Sequence, residues 1–309
     1  MNEVMSLQPG RSEPAEEFHP FTWWSPYNRL WTTHNIRIAQ KVGLKLVLIA
    51  LDSVIIFFSC IAYRANKTGL ASIFSRAKTS LPVVVLDVGL HRKANQVKVV
   101  AQWLAHDEAN FRILGFEANP ESAGAATKAL KRYPQTRVLN MALIGPSYEG
   151  DSIELFCSTR AEGVGDNIFG HRPATKDTGK VFTVAARRLS SVIAAENIDL
   201  DRTCVLLRMN IEGAEFEVLK DLDDAGILGK IDGFFGAWDD VGKLRPALDV
   251  EFRKFMADRG IRTTPFNDRD LGVKWPFRLR KRAIRYAIRT ALGYAQRRKG
   301  GAAASTGAR

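Results

Sequence analysis

Val205-Leu206-Leu207-Arg208-Met209-Asn210-Ile211-Glu212-Gly213-Ala214-Glu215-Phe216-Glu217-Val218-Leu219-Lys220-Asp221-Leu222 reads as a strand that turns into a helix. Its first half is aliphatic and β-branched, the composition of a buried strand. Its second half follows a helical period, with Ala214, Val218 and Leu222 on one stripe and Leu219 beside it. Between the halves, Asn210-Ile211-Glu212-Gly213 sets an amide, a carboxylate and a glycine at the end of the strand. In a parallel α/β sheet that edge is where ligands bind, because the strands open there into a crevice lined by helix N-termini. Taken by itself the join also suits a solvated turn whose acids cap a helix. The neighbouring segments decide between the two.

Upstream, Val83-Val84-Val85-Leu86-Asp87-Val88-Gly89 reads as a central strand ending in a turn. Val97, Val100, Ala101 and Leu104 then recur at helical spacing. A second strand, Arg112 to Glu117, ends in Ala118-Asn119-Pro120 and leads into a helix that runs to about Tyr133. A third is predicted over Arg137 to Ile144. Strand alternating with helix is the signature of a doubly wound α/β sheet. Residues 147–188 interrupt it. Ser152 to Cys157 is expected to be an antiparallel strand, Phe182-Thr183-Val184 a short one, and the glycine-rich Arg160 to Arg172 a loop over a site. Downstream, a strand over Ile231 to Asp240 ends in Asp239 and Asp240. Pro246 starts a helix with Leu248, Phe252, Phe255 and Met256 inward, and Gly260 ends it. A last strand or lid is expected between Ile261 and Leu271.

The net charge of +12 is unevenly spread. Residues 1–270 carry 34 basic against 33 acidic side chains, and all eleven residues of either sign beyond Asp270 are basic. The body is close to neutral, which weighs against nucleic-acid binding by the domain itself. From Trp275 the tail is a basic amphipathic helix with Ile284, Ile288, Ala291, Leu292 and Ala295 on one face, and residues 300–309 look disordered. Its composition suits an anionic lipid surface across 275–299. A docked helix with a solvated charged face and an RNA grip are the competing readings. At the other end, 1–35 is a polar start followed by an aromatic cluster, and 36–81 an apolar helical extension. Within the extension, Val47 to Tyr63 is at the short limit for a membrane span and holds Asp52 near its middle, so a buried or membrane-leaning helix is expected. Three widely spaced cysteines form no disulfide framework and point to a reducing cytoplasmic compartment, with a peripheral position at the inner membrane face as the corollary of the tail.

Two strand ends carry a cofactor hypothesis. Gly89 lets backbone approach a ligand, and Glu117 stands where an acid can accept hydrogen bonds from both hydroxyls of a ribose. The G-x-G-x-x-G phosphate cradle is absent, since the first turn runs Gly89-Leu90-His91-Arg92-Lys93-Ala94, and this argues against NAD. These segments, together with Gly115-Phe116-Glu117-Ala118-Asn119-Pro120, Asn140-Met141-Ala142-Leu143 and above all Met209-Asn210-Ile211-Glu212-Gly213-Ala214-Glu215, resemble the FkbM-type S-adenosylmethionine-dependent methyltransferases over residues 82–240. The resemblance implies a Rossmann-like methyltransferase domain over 82–272, flanked by the N-terminal helical extension and the basic tail 273–309. It implies O-methylation of a hydroxyl, often on a glycan or secondary metabolite, and the tail would bring such an enzyme to a lipid-linked sugar or lipid. It places Asp87 and Gly89 near the methionine moiety, Glu117 on the ribose, Asn119 and Ala142 near adenosine, and Asn210 and Glu212 facing the transferred methyl.

The chain departs from the family pattern in its first turn and at one strand end. Leu90-His91-Arg92-Lys93 replaces small residues and a second glycine, and Asn210 stands where the family has an aspartate. An amide holds a ligand but takes no proton as a carboxylate does, so the base role shifts to Glu212, Asp239, Asp240 or His91. Asp239 and Asp240 suit substrate orientation or, with Glu212, a divalent cation; no metal site is assigned. The altered turn motivates a rival, a catalytically silent binding protein on the same fold, and the tail alone motivates an RNA methyltransferase.

Overall fold

The first strand, β1 (Val83–Val88), is buried along its whole length, as its run of valine and leucine requires. It pairs in parallel with β2 (Phe111–Phe116) on one side and with β7 (Cys204–Met209) on the other. The computed structural model describes residues 80–107, 109–158, 166–170, 177–236, 238, 240–271 and 277–306. All of these lie in the second of two compact units, Phe74–Arg309. The aromatic segment, nearly all of the extension expected over 36–81 with its apolar run 47–63, and Asp239 fall outside the described residues.

The main sheet has six strands in the order β3-β2-β1-β7-β8-β9, all pairs parallel, with β3 at Thr136–Leu139, β8 at Gly233–Gly236 and β9 at Thr263–Thr264. Helices α1 (Asn95–His106), α2 (Pro120–Ala129), α3 (Leu189–Ala195), α4 (Glu215–Asp224), α5 (Asp240–Leu244) and α6 (Pro246–Asp258) connect the strands. The chain leaves β1 toward β2 and returns to its other side as β7, which makes β1 the switch point of a doubly wound sheet. Register fixes the consequence. Val88 faces Phe116 on one side and Met209 on the other. Gly89, Glu117 and Asn210, each one residue further, therefore stand level at the carboxyl edge.

The predicted third strand is in fact two. Only β3 joins the main sheet; β4 (Ala142–Leu143) pairs with β6 (Asp177–Arg187) in a three-stranded sheet completed by β5 (Ser152–Ser158). The break comes at Asn140, whose Nδ2 donates to the carbonyls of Glu117 (2.8 Å) and Ala118 (2.9 Å). Those bonds hold Asn140 to the neighbouring strand end while the chain turns away. The segment around Phe182 is longer than expected because β6 is the middle strand of its sheet. The strand expected over Ile231 to Asp240 stops at Gly236, where φ is +128° and a Cβ would meet the Met209 carbonyl oxygen at 1.9 Å.

The tail is helix α7 (Phe277–Thr306), and its backbone stays helical through 300–306, where disorder was expected. Ile284, Ile288, Ala291, Leu292 and Ala295 are all buried, over β7 and the turn Asp268–Leu271. Gly233 permits the approach, since a Cβ there would stand 3.1 Å from that of Ala291. Cations reinforce it. Arg285 and Arg289 both hold the buried Asp107, at 3.1 Å and 2.8 Å, while Arg298 and Lys299 hold Asp232, at 2.7 Å and 2.6 Å. The apolar stripe of the helix is thus part of the domain core. No helix among the described residues is long and apolar enough to cross a membrane.

Truncating Leu292, which is fully buried, is expected to destabilise the domain by about 2–4 kcal/mol. Leu292→Ala should lower the urea midpoint with little change in the slope of the transition. A midpoint equal to that of the wild type would mean the helix is not part of the folding unit.

Candidate active site

Three strand ends build the site. At the first, Asp87 faces Arg208 across the β1–β7 pair, and both are buried. Arg208 Nη1 donates to Asp87 Oδ1 (2.8 Å) and to the Gly89 carbonyl (3.2 Å), while its Nε donates to the Phe266 carbonyl (3.4 Å). Burial pushes the Asp87 carboxyl above its ordinary range, against the pull of that guanidinium. Gly89 takes φ +88°, and a Cβ on it would lie 2.1 Å from the Asn210 carbonyl oxygen. Glycine is obligatory there on both counts.

The substituted turn leaves the edge open. Leu90 is buried, with its Cδ2 2.6 Å from where a Cβ on Gly115 would be, so it fills space inside the sheet. The N–H groups of Gly89 and Leu90 both donate to the Phe116 carbonyl, at 3.0 Å and 2.9 Å. Arg92 and Lys93 are exposed. The left-handed step falls on Ala94, at φ +48°, so Lys93 needs no glycine-like backbone.

At the second strand end, Glu117 Oε1 accepts the Asn119 N–H (2.9 Å). Asn119 is the N-cap of α2, its Oδ1 accepting the N–H groups of Glu121 (2.9 Å) and Ser122 (3.1 Å). Its Nδ2 donates to Asp166 Oδ2 (2.7 Å), and Asp166 Oδ1 accepts the Ser158 N–H (2.8 Å). This chain of bonds carries the loop residue Asp166 to the cleft wall beside Glu117. Burial, with the negative charge of Asp166 and Asp87 nearby, pushes the Glu117 carboxyl up to about 8.

The third end is the join quoted at the outset. Glu215 is fully buried and accepts two backbone N–H groups, from Ile211 at Oε1 and from Gly213 at Oε2, both at 2.9 Å. It clamps the turn in which Glu212 (φ +54°) and Gly213 (φ +100°) adopt left-handed backbone. A non-glycine residue in that region is strained and persists only where its surroundings hold it. Asn210 donates its own N–H to the Val88 carbonyl (2.9 Å), which ties this turn to the first.

Between the three ends lies a cleft of about 810 Å³, its open mouth included. Gly89, His91, Glu117, Ala142, Asn210 and Glu212 all line it. Asp87 lies beneath it, locked to Arg208, and Asn119 stands behind its wall holding Asp166. Asp239 is outside the described residues, and Asp240 is the first residue of α5. Among the described residues no group of His, Cys, Asp or Glu is arranged to hold a metal ion. Sequence reasoning passed over Arg208, Asn140, Asp166 and Glu215. Arg208 had a signal, being a cation inside an apolar run of strand composition. Asp166 had none, for only the folded loop brings it to Asn119.

A family model described as the methyltransferase FkbM domain matches residues 87–261, more than half of the chain. The match takes in everything from β2 to α6, including the Glu117 strand end and the Asn210–Glu215 turn. No curated protein and no solved structure matches the chain.

Protonation of Glu117 should register in stability. Its ordinary value is 4.5 and its folded value about 8. Between these the folded chain retains a proton that the unfolded chain releases, so stability falls as pH rises through the interval. Glu117→Gln lacks that loss. Its melting temperature should match the wild type near pH 4, exceed it by several degrees near pH 8, and hold that margin above. A margin that does not change with pH would contradict the assignment.

Proposed function

Because this chain belongs to the FkbM methyltransferase family, we propose that its cleft binds S-adenosylmethionine and directs the methyl group onto a hydroxyl oxygen. The observation that carries the reading is the level placement of Gly89, Glu117 and Asn210 at the edge of three adjacent strands. Gly89 gives a ligand close access to backbone, and Glu117, one strand away, offers two oxygens to a ribose diol. Met141, Ala142, Leu155 and Ile168 add an apolar flank suited to adenine. The carboxylates at the cleft suit a donor whose net charge is positive.

When bound, S-adenosylmethionine supplies an electrophilic methyl on a sulfonium. The protein's part is alignment and proton removal. Asn210 holds the acceptor oxygen with its amide, and Glu212 takes the hydroxyl proton as the oxygen attacks. With the donor held at Gly89 and Glu117, the O–C bond would form as the S–C bond breaks, the electron pair staying on sulfur. Asp239, one residue before α5, is the second candidate for orienting the acceptor. The family resemblance supports a hydroxyl on a glycan or secondary metabolite as acceptor, and the basic tail supports a lipid-linked sugar.

The silent-binder alternative drew its force from the altered turn. Leu90 is buried over Gly115 and Arg92 and Lys93 are exposed, so none of them closes the cleft. An anionic membrane stays in the proposal as a partner for the basic face of α7 alone, since the apolar stripe is already buried. RNA is disfavoured by a body of near-neutral charge.

Calorimetric titration tests the donor site. The bound form of Glu117 is the carboxylate, so S-adenosylmethionine affinity should rise roughly tenfold per pH unit below pH 8 and level off above it. Glu117→Gln should bind at least about tenfold more weakly and without that slope. Absence of binding by the wild type would sink the reading.

Turnover tests the base. With labelled donor and the cell-extract fraction that accepts label, Glu212→Gln should keep its donor affinity and lose about 10²–10⁴-fold in kcat. Unchanged kcat would move the base role away from Glu212.

A further inference from the structure

The ionisable groups that line the cleft, among the described residues, are Glu117, Asp166, Glu212 and His91. Three are acids. They suit the sulfonium and ammonium of a methyl donor but repel its amino-acid carboxylate. Among the described residues, the nearby cations are engaged elsewhere or exposed. Arg208 is locked on Asp87, Arg245 holds Glu217 (2.7 Å), and Arg92 and Lys93 are exposed. Among the described residues, His91 is the basic side chain that lines the wall.

We infer that His91 receives the amino-acid carboxylate of S-adenosylmethionine, as a cofactor-positioning residue, and does not take the acceptor's proton. The inference rests on the donor site proposed above. With the ribose at Glu117 on β2, the rest of the donor runs across Gly89 on the neighbouring strand, and His91 follows Gly89 by two residues. The imidazole is steadied from behind. Its Nδ1 lies 3.4 Å from the Lys93 N–H and 3.9 Å from Asp268 Oδ2. Because Nδ1 accepts the Lys93 N–H, the ring's own proton stands on Nε2, a donor suited to a carboxylate. The position that breaks the family's small-residue pattern thereby brings an N–H donor to the wall of the acidic cleft. Leu90, its neighbour, turns inward, and His91 faces the ligand.

Calorimetry on the full chain with three ligands separates the roles: S-adenosylmethionine, its decarboxylated form, and 5′-methylthioadenosine, which lacks the amino-acid part. His91→Ala should weaken S-adenosylmethionine about ten- to a hundredfold, the range of one charge-assisted hydrogen bond. It should leave the two ligands without a carboxylate unchanged. His91→Lys should restore most of the loss. Unchanged S-adenosylmethionine affinity in His91→Ala overturns the inference, and does so most directly if kcat falls instead, the mark of a base. Equal weakening of all three ligands also overturns it, because that is damage to the nucleoside end or the fold. In both cases wild-type binding keeps the donor site standing. A wild type that binds none of the three removes the donor site and this inference together.

Discussion

The Asp87–Arg208 pair is the contact on which the cleft depends. Two strands buried on both faces each carry one charge, and register sets those charges opposite each other. A buried pair of this kind contributes little net stability compared with two apolar side chains, yet breaking it from one side costs about 3–5 kcal/mol. Its value here is positional. The same guanidinium that answers Asp87 also holds the Gly89 carbonyl and the Phe266 carbonyl. One side chain thus fixes the first turn, the strand beside it and the segment that leads toward α7. Gly89 then sits so near the Asn210 carbonyl that no larger residue fits, and the two turns of the cleft become one rigid edge.

The strand and helix pattern of the domain was legible because each buried strand is a short aliphatic run and each helix shows its period. Val97, Val100, Ala101 and Leu104 are all buried, as are Val218, Leu219 and Leu222. The edge positions followed from strand ends alone, which is why Gly89, Glu117, Asn210 and Glu212 meet at one cleft. What escaped the sequence depends on tertiary bonds. Nothing local marks Asn140 as the point where a strand divides, because its partners are carbonyls of another strand. Asp166 reads as one polar residue of a loop until Asn119 holds it at the wall. Leu90 stood among the bulky replacements of the family's small residues, and pattern does not say into which side of the turn a side chain points.

Helix α7 shows the same limit from another direction. An apolar stripe of Ile284, Ile288, Ala291, Leu292 and Ala295 has the same period whether it meets lipid, RNA-binding machinery or its own domain. The deciding groups are Asp107 and Asp232, far away in sequence, which draw four of its cations inward. Asp232 is fully buried at its side chain and Lys299 nearly so. That is the geometry of a structural tie and not of a solvated basic surface.

Charge in the cleft gives the proposed chemistry a direction. Burial beside Asp166 and Asp87 holds Glu117 near pH 8 when no ligand compensates it, so near neutral pH its carboxyl keeps its proton. On the proposed reading, a positively charged donor would make the carboxylate favourable again, and its binding would displace that proton. Methyl transfer would then remove the sulfonium charge. The thioether product would no longer answer the surrounding acids, so the electrostatic attraction that admits the donor would weaken once the reaction is complete. Desolvation of Glu117, a cost to the empty fold, would then serve to discriminate between donor and product.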